Sequence, residues 1–222
     1  MPTKNGNLGT SSQSHELALL LIDVINPLDF PEADQLLRFV PAMTRKIRRL
    51  KQRAKKAGVP VVYLNDNFGR WHSDFRSQVQ YCLSDESLGC EMVRQLQPEE
   101  SDYFVLKPKH SGFFATPLDI LLRDIGARRL ILTGIAGNFC VLLTANDAYL
   151  RDYELFIPAD CVASNSDRDN RQALALMQKT LKADIRLSPK IKFRRNSFAG
   201  TDHTSRHDDR HFYDGPPHPS RH

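Results

Sequence analysis

Two rhythms alternate along the chain. The runs Glu16–Asp23 (ELALLLID), Val59–Leu64, Tyr103–Leu106 and Leu130–Thr133 are short and continuously apolar. They lack the two-residue alternation of a half-exposed strand and predict strands covered on both faces. A further buried strand is expected at the end of the stretch Ala127–Asp160, and a last edge strand at Ile185–Leu187. Between the strands, apolar residues recur at three-and-four spacing, as on the buried stripe of a helix. Leu36, Val40, Met43, Ile47, Leu50 and Ala54 mark one long helix over Asp34–Lys56, with Gly58 as its stop. A helical region is expected over Gln78–Leu96. Thr116 and Pro117 are start signals for a helix over Leu118–Ile125. Val141, Ala145, Ala148 and Tyr149 place another, beginning near Asn138 or Phe139, and Ala173, Leu176, Met177 and Leu181 one over Asp169–Ala183. Strands alternating with helices give a three-layer α/β/α sandwich around a doubly wound, mainly parallel, Rossmann-like sheet.

The flanks are different. Residues 1–15 and 193–222 are polar, the latter rich in His, Arg, Asp and Pro, and both are expected to be disordered around a folded domain at 16–192. The polar start lacks the apolar centre of a signal peptide, so a cytoplasmic protein is expected. No apolar run is long enough for a membrane span. Four cysteines at irregular spacing suggest reduced thiols. A net charge of +5 raises nucleic-acid binding. Yet the basic residues concentrate on the later turns of the Asp34–Lys56 helix with no aromatics interleaved, which fits a solvated face and no nucleic-acid partner.

Chemistry gathers at strand ends, where sites of open α/β sheets lie. Asp23 closes the first strand and Lys107 the third. Gly134, Gly137 and Asn138 form a turn after the fourth, and Cys140 falls in the first helical turn beyond. There, free backbone N–H groups and the positive end of the helix dipole favour a thiolate and can receive an oxyanion. A small buried cysteine is the alternative reading of the same position. NDNFGRWHSDF, after the second strand, offers Asp66 and His72, too little for a metal site. Asn65, Trp71 and Phe113 are candidate substrate contacts, with loop packing as the alternative.

The stretches LLLIDVINPLDF around Asp23, LKPKHSGFFATPLDILLRDIGARRLILTGIAGNFC from Leu106 to Cys140, and TANDAYLRDYE resemble the isochorismatase-like cysteine hydrolases. That family includes nicotinamidases, ureidoacrylate amidohydrolases and N-carbamoyl-amine hydrolases. The resemblance spans roughly Leu17–Ser188. It implies a catalytic triad of Asp23, Lys107 and Cys140, Lys107 being the lysine that precedes the proline in the family's loop while Lys109 competes for the role. It also implies a cis peptide between Ile135 and Ala136, and an oxyanion hole from the N–H groups of Ala136 and Cys140. The thiol, acidified by Lys107, is then expected to attack an amide or ureido carbonyl of a small molecule. Asp23 serves as base, hands its proton to the departing amine, and acts again as base when water hydrolyses the thioester.

Two departures narrow this expectation. The Asp–His–His metal set of nicotinamidases is not convincingly present after the second strand, so no metal and no cofactor are expected. Members that cleave isochorismate do not depend on the cysteine, so its presence favours C–N bonds. INPLDF differs from the family's usual first loop, leaving the pocket beside Asp23 open. The resemblance also implies a homo-oligomer, dimer or tetramer. A catalytically silent subunit of the same fold and a redox-sensing thiol are the competing readings, and neither needs all three residues.

Overall fold

The computed structural model describes residues 16–69, 74–84 and 86–193. The expected leader, the tail from residue 194, Trp71 and His72 lie outside them. Six strands form one sheet: β1 (Leu17–Ile22), β2 (Val61–Asp66), β3 (Tyr103–Lys107), β4 (Arg129–Ile135), β5 (Glu154–Phe156) and β6 (Val162–Ala163). Their order is β3-β2-β1-β4-β5, with β6 beside the end of β4, and every pairing is parallel. β1 is central and wholly buried, running beside β2 from Leu19 opposite Val61 and beside β4 from Leu17 opposite Arg129.

Strand alternation divides the core. Leu19, Leu21, Val61 and Tyr63 face helices α1 (Ala33–Leu37), α2 (Val40–Lys56), α3 (Phe75–Cys82) and α4 (Cys90–Gln95). Leu20, Ile22, Val62 and Leu64 face α5 (Leu118–Asp124), α6 (Leu142–Tyr149) and α7 (Asp167–Thr180). This is the three-layer sandwich that the alternation of strands and helices predicts.

Several elements differ from expectation for local reasons. The helix expected over Asp34–Lys56 is two, because Pro41 has no N–H to donate and its ring crowds the carbonyl of Leu37. The proline instead sits in the first turn of α2, where that N–H has no helical partner anyway. The region Gln78–Leu96 is also two helices. Gly89, between them, lies so close to the Asn26 carbonyl that a Cβ would stand 1.9 Å from its oxygen, and its N–H donates to Pro27 O at 3.0 Å. The loop after β1 therefore docks on this break. Ile185–Leu187 is not a strand: one bridge joins Phe156 to Asp184, and the Asp184 carboxylate then accepts the Arg186 N–H at 2.9 Å, turning the chain away. The stretch Ala159–Ser166, whose residues read as a loop, contains the short strand β6. In α7 the buried stripe is Ala173, Leu174 and Met177, continued by Leu181 just past the helix end, while Leu176 is 49% exposed.

Candidate active site

Three strand ends meet at one rim of the sheet. Asp23 leaves β1 in the left-handed backbone region, φ 53°, its N–H donating to Leu64 O at 2.8 Å. Lys107 is the last residue of β3 and fully buried. Cys140 is half-buried in the turn that follows β4. The Lys107 Nζ lies 2.9 Å from Asp23 Oδ2, 3.6 Å from Cys140 Sγ and 3.7 Å from Asp66 Oδ2. Asp23 Oδ1 accepts the Asp66 N–H at 2.8 Å, and its carboxylate also hydrogen-bonds the thiol. Asp66 stands opposite Lys107 in the β2–β3 register, so the sheet itself supplies the second acid.

The electrostatics reverse one sequence expectation. Burial pushes the Cys140 thiol up, and the Asp23 charge pushes it further; Lys107 pulls it down but does not win. The thiol is thus a weaker acid than usual, not the stronger one expected beside a lysine and a helix start. Burial also raises Asp23, by more than Lys107 lowers it. Burial alone pulls Lys107 down, but the charges of Asp23 and then Cys140 outweigh it and hold its ammonium on. Between them, Asp23 and Cys140 therefore favour a single negative charge opposite the Lys107 ammonium. A thiolate forms at no change in local charge only when its proton passes to Asp23.

The turn that carries Cys140 is wider than an α-helical one. The Ile135–Ala136 peptide is cis, and the Ala136 carbonyl accepts both the Phe139 N–H at 3.0 Å and the Val141 N–H at 3.2 Å. Gly137–Val141 forms this single wide turn before α6 begins at Leu142. A Cβ on Gly137 would come within 2.6 Å of Asn170 Oδ1, 2.8 Å of a Val162 methyl and 2.9 Å of Ser164 Oγ. Asn170 is itself fixed, donating to Val162 O at 3.2 Å and accepting from Ser164 Oγ at 3.1 Å. β6 and the first turn of α7 thereby clamp the turn that holds the thiol.

Of the expected substrate contacts, Asn65 and Phe113 are interior. β2 runs two residues further than its apolar run, and alternation turns Asn65 to the face opposite Asp66. Its amide donates to Ile25 O at 2.7 Å, bracing the loop after β1. Phe113 is buried against Tyr153, with the Arg151 guanidinium 4.7 Å from its ring centre. Trp71 lies outside the described residues. Among these residues no group of three or more His, Cys, Asp or Glu side chains is placed to hold a metal. Cys82, Cys90 and Cys161 are buried and form no disulfide.

His110 was visible in the sequence only as the neighbour of Lys109. Its Nδ1 lies 3.7 Å from Cys140 Sγ, and its ring leans on Phe139 with 5.8 Å between centres. The loop beyond it is stapled to α6: Ser111 Oγ donates to the Asp147 carboxylate and the Gly112 N–H to Thr144 Oγ1 at 3.0 Å. Only the approach of α6 to this loop, which no local pattern encodes, brings the imidazole to the sulfur.

A family model described as the isochorismatase domain matches residues 17–185. An isochorismatase family protein of Bacillus subtilis, YaaI, is 42% identical over 174 residues, 78% of this chain and 95% of that protein. The ureidoacrylate amidohydrolase RutB of Methylorubrum extorquens is 34% identical over 135 residues, 52% of this chain and 54% of its own length. The crystal structure of N-carbamoylsarcosine amidase from Thermoplasma acidophilum superposes with a TM-score of 0.61 at 26% identity, covering 79% of this chain and 98% of the other.

Proposed function

Because the chain belongs to the isochorismatase family, we propose that it is a cysteine hydrolase that cleaves an amide or ureido C–N bond of a small molecule. The observation that carries this reading is one buried ammonium, Lys107, held 2.9 Å from a carboxylate and 3.6 Å from a thiol. A catalytically silent member has no use for that arrangement, which puts a lysine inside the protein beside a reactive group.

Asp23 takes the Cys140 proton as the sulfur attacks the carbonyl carbon, so an S–C bond forms while Lys107 keeps the local charge balanced. The N–H groups of Ala136 and Cys140 receive the oxygen as it becomes an anion. The C–N bond then breaks, and the proton on Asp23 goes to the departing nitrogen, leaving a thioester on Cys140 and Asp23 ionised again. Water hydrolyses the thioester. The relatives named as ureidoacrylate amidohydrolase and N-carbamoylsarcosine amidase point the substrate search towards ureido and carbamoyl compounds.

The test is release of ammonia or amine from a panel of amides and N-carbamoyl compounds. Cys140→Ala is expected to lower turnover of any substrate found by at least about 10³-fold, the effect of losing a nucleophile. Retained turnover in that variant sinks the covalent route.

A further inference from the structure

Behind the turn that carries the thiol lies a cavity of about 260 Å³, enclosed by α2, β6 and the start of α7. Asp23, Lys107 and Cys140 take no part in its lining. Its floor is apolar, formed by Phe39, Met43, Val162 and Ala163, and Arg38 and Lys46 supply positive charge from the other side. Among the described residues no carboxylate stands within ion-pair distance of either cation. Further along α2, by contrast, Lys51 and Lys55 both reach Asp102. The acids of the cavity wall are otherwise placed. Asp160 accepts the Ser188 N–H at 2.7 Å and the Ser188 hydroxyl at 2.9 Å, and Asp167 is exposed in the first turn of α7.

The same cavity is backed by the clamp on the nucleophile's turn. Val162, Ser164 and Asn170 line it, and these three stand 2.6, 2.8 or 2.9 Å from the point that a Cβ on Gly137 would occupy. Whatever fills the cavity packs against one side of them while Gly137 presses on the other. A close-packed interior has little free volume in which to absorb a shift, so the two sides are coupled.

We propose that this cavity is an effector site for a small carboxylate with an apolar body. Arg38, exposed, and Lys46, half-buried, receive the carboxylate, and the body lies on the apolar floor. The volume is below the roughly 300–1,000 Å³ of sites for drug-sized ligands, which limits the body to about a single ring. Bound there, the ligand fixes Val162, Ser164 and Asn170, and the turn Gly137–Val141 opens less often. The effect is on the seat of Cys140 and so does not depend on which bond the protein cleaves.

Benzoate is the probe, with benzyl alcohol as its uncharged counterpart, inorganic phosphate as a charge without a body, and sodium chloride to hold ionic strength constant. Calorimetric titration of the full chain is expected to give a Kd for benzoate on the order of 1 mM, the scale for so small a ligand. The other two compounds should bind at least about tenfold more weakly. The double variant Arg38→Gln, Lys46→Gln is expected to weaken benzoate by at least about tenfold, through loss of charge-assisted hydrogen bonds. Ala42→Leu should do the same by filling the cavity; Ala42 is exposed in the first turn of α2, where leucine suits a helix. Cys140→Ala keeps the binding. Saturating benzoate is expected to slow iodoacetamide modification of Cys140 roughly fivefold in wild-type protein, the scale of coupling between linked sites, and not in Ala42→Leu. No binding to wild-type protein, or binding that survives both the charge variant and Ala42→Leu, overturns the site. Binding lost in Cys140→Ala puts benzoate in the catalytic pocket and overturns it too. Binding that leaves alkylation unchanged overturns the effector role. None of these measurements uses a hydrolysed substrate, so the amide and ureide reading stands or falls separately.

Discussion

A thiol beside an ammonium is ordinarily made more acidic, yet Cys140 is held the other way, by burial first and by the charge of Asp23 second. Its reactivity must therefore depend on where its proton goes, not on how readily it is lost to solvent. If the proton passes to Asp23, the thiolate fraction does not change with pH across the window in which the pair shares one proton. Iodoacetamide modification of the wild-type protein is accordingly expected to be nearly flat around neutrality. In Asp23→Asn it is expected to climb about tenfold per pH unit, as for a thiol titrating into solvent. A wild-type profile just as steep as that of the variant rejects the internal transfer. Asp23 and Lys107 were legible from the sequence because each stands where an apolar run stops, and Cys140 because it follows the turn after the fourth run; the resemblance joined the three. Asn65 and Phe113, read as candidate substrate contacts or loop packing, lie in the interior; for Asn65 this is because β2 outlasts its apolar run by two residues and its side chain still obeys the strand's alternation.

Among elements, the wide turn Gly137–Val141 is the one whose shape governs chemistry. The sequence showed a glycine and an asparagine and suggested a turn. It could not show that Asn170, Val162 and Ser164, well separated along the chain, leave no room for a methyl group at Gly137. Gly137→Ala is expected to destabilise the fold by about 1–3 kcal/mol, the usual effect of an extra carbon in a packed site. It should lower kcat by roughly 10²-fold, because a small displacement of the nucleophile is enough. Wild-type kcat in a variant with the expected loss of stability would show that the clamp does not position Cys140. The breaks at Pro41 and Gly89 have unequal visibility. Pro41 stops a helix by its own covalent structure and could be read locally, whereas Gly89 matters only because the Asn26 carbonyl is pressed against it.

For the molecule as a whole, the basic run on α2 proves to be more than a solvated face. Lys51 is buried, with its Nζ 2.8 Å from Asp102, 2.9 Å from the Tyr63 hydroxyl and 2.9 Å from Gln97 O. Lys55 reaches the same carboxylate at 2.6 Å, and Arg53 donates to Ser188 O and Ile191 O. These cations tie α2 to β2, to the segment before β3 and to the last described residues, which the net charge gave no means of seeing. Burial pushes the Asp102 carboxyl up, but the Glu99 N–H, Lys51 and Lys55 together outweigh it and hold it below the usual range. Its contribution to stability is therefore complete above the ordinary carboxylate pKa of about 4 and is lost as pH falls through the lower folded value. Asp102→Asn is expected to cost about 2 kcal/mol near neutral pH, because Lys51 loses its nearest charge while keeping Glu99 at 3.5 Å and its bonds to Tyr63 and Gln97. Denaturant titrations over the acid range should find a shallower fall in stability for the variant. Equal stabilities at neutral pH would assign the network no such role. Among the described residues no helix is long and apolar enough to cross a membrane.

The strand order β3-β2-β1-β4-β5 has a consequence for how activity comes into being. The chain winds outward from β1 to β3 and only then returns to lay β4 on the other side of β1. Asp23 and Lys107 belong to the outward leg and Cys140 to the return. During synthesis the proton acceptor and its ammonium emerge first, and the sulfur completes the set later. A chain divided at the Gly126 turn would carry the pair on one piece and the nucleophile on the other. Hydrolysis by such pieces would then measure how well the two legs find each other.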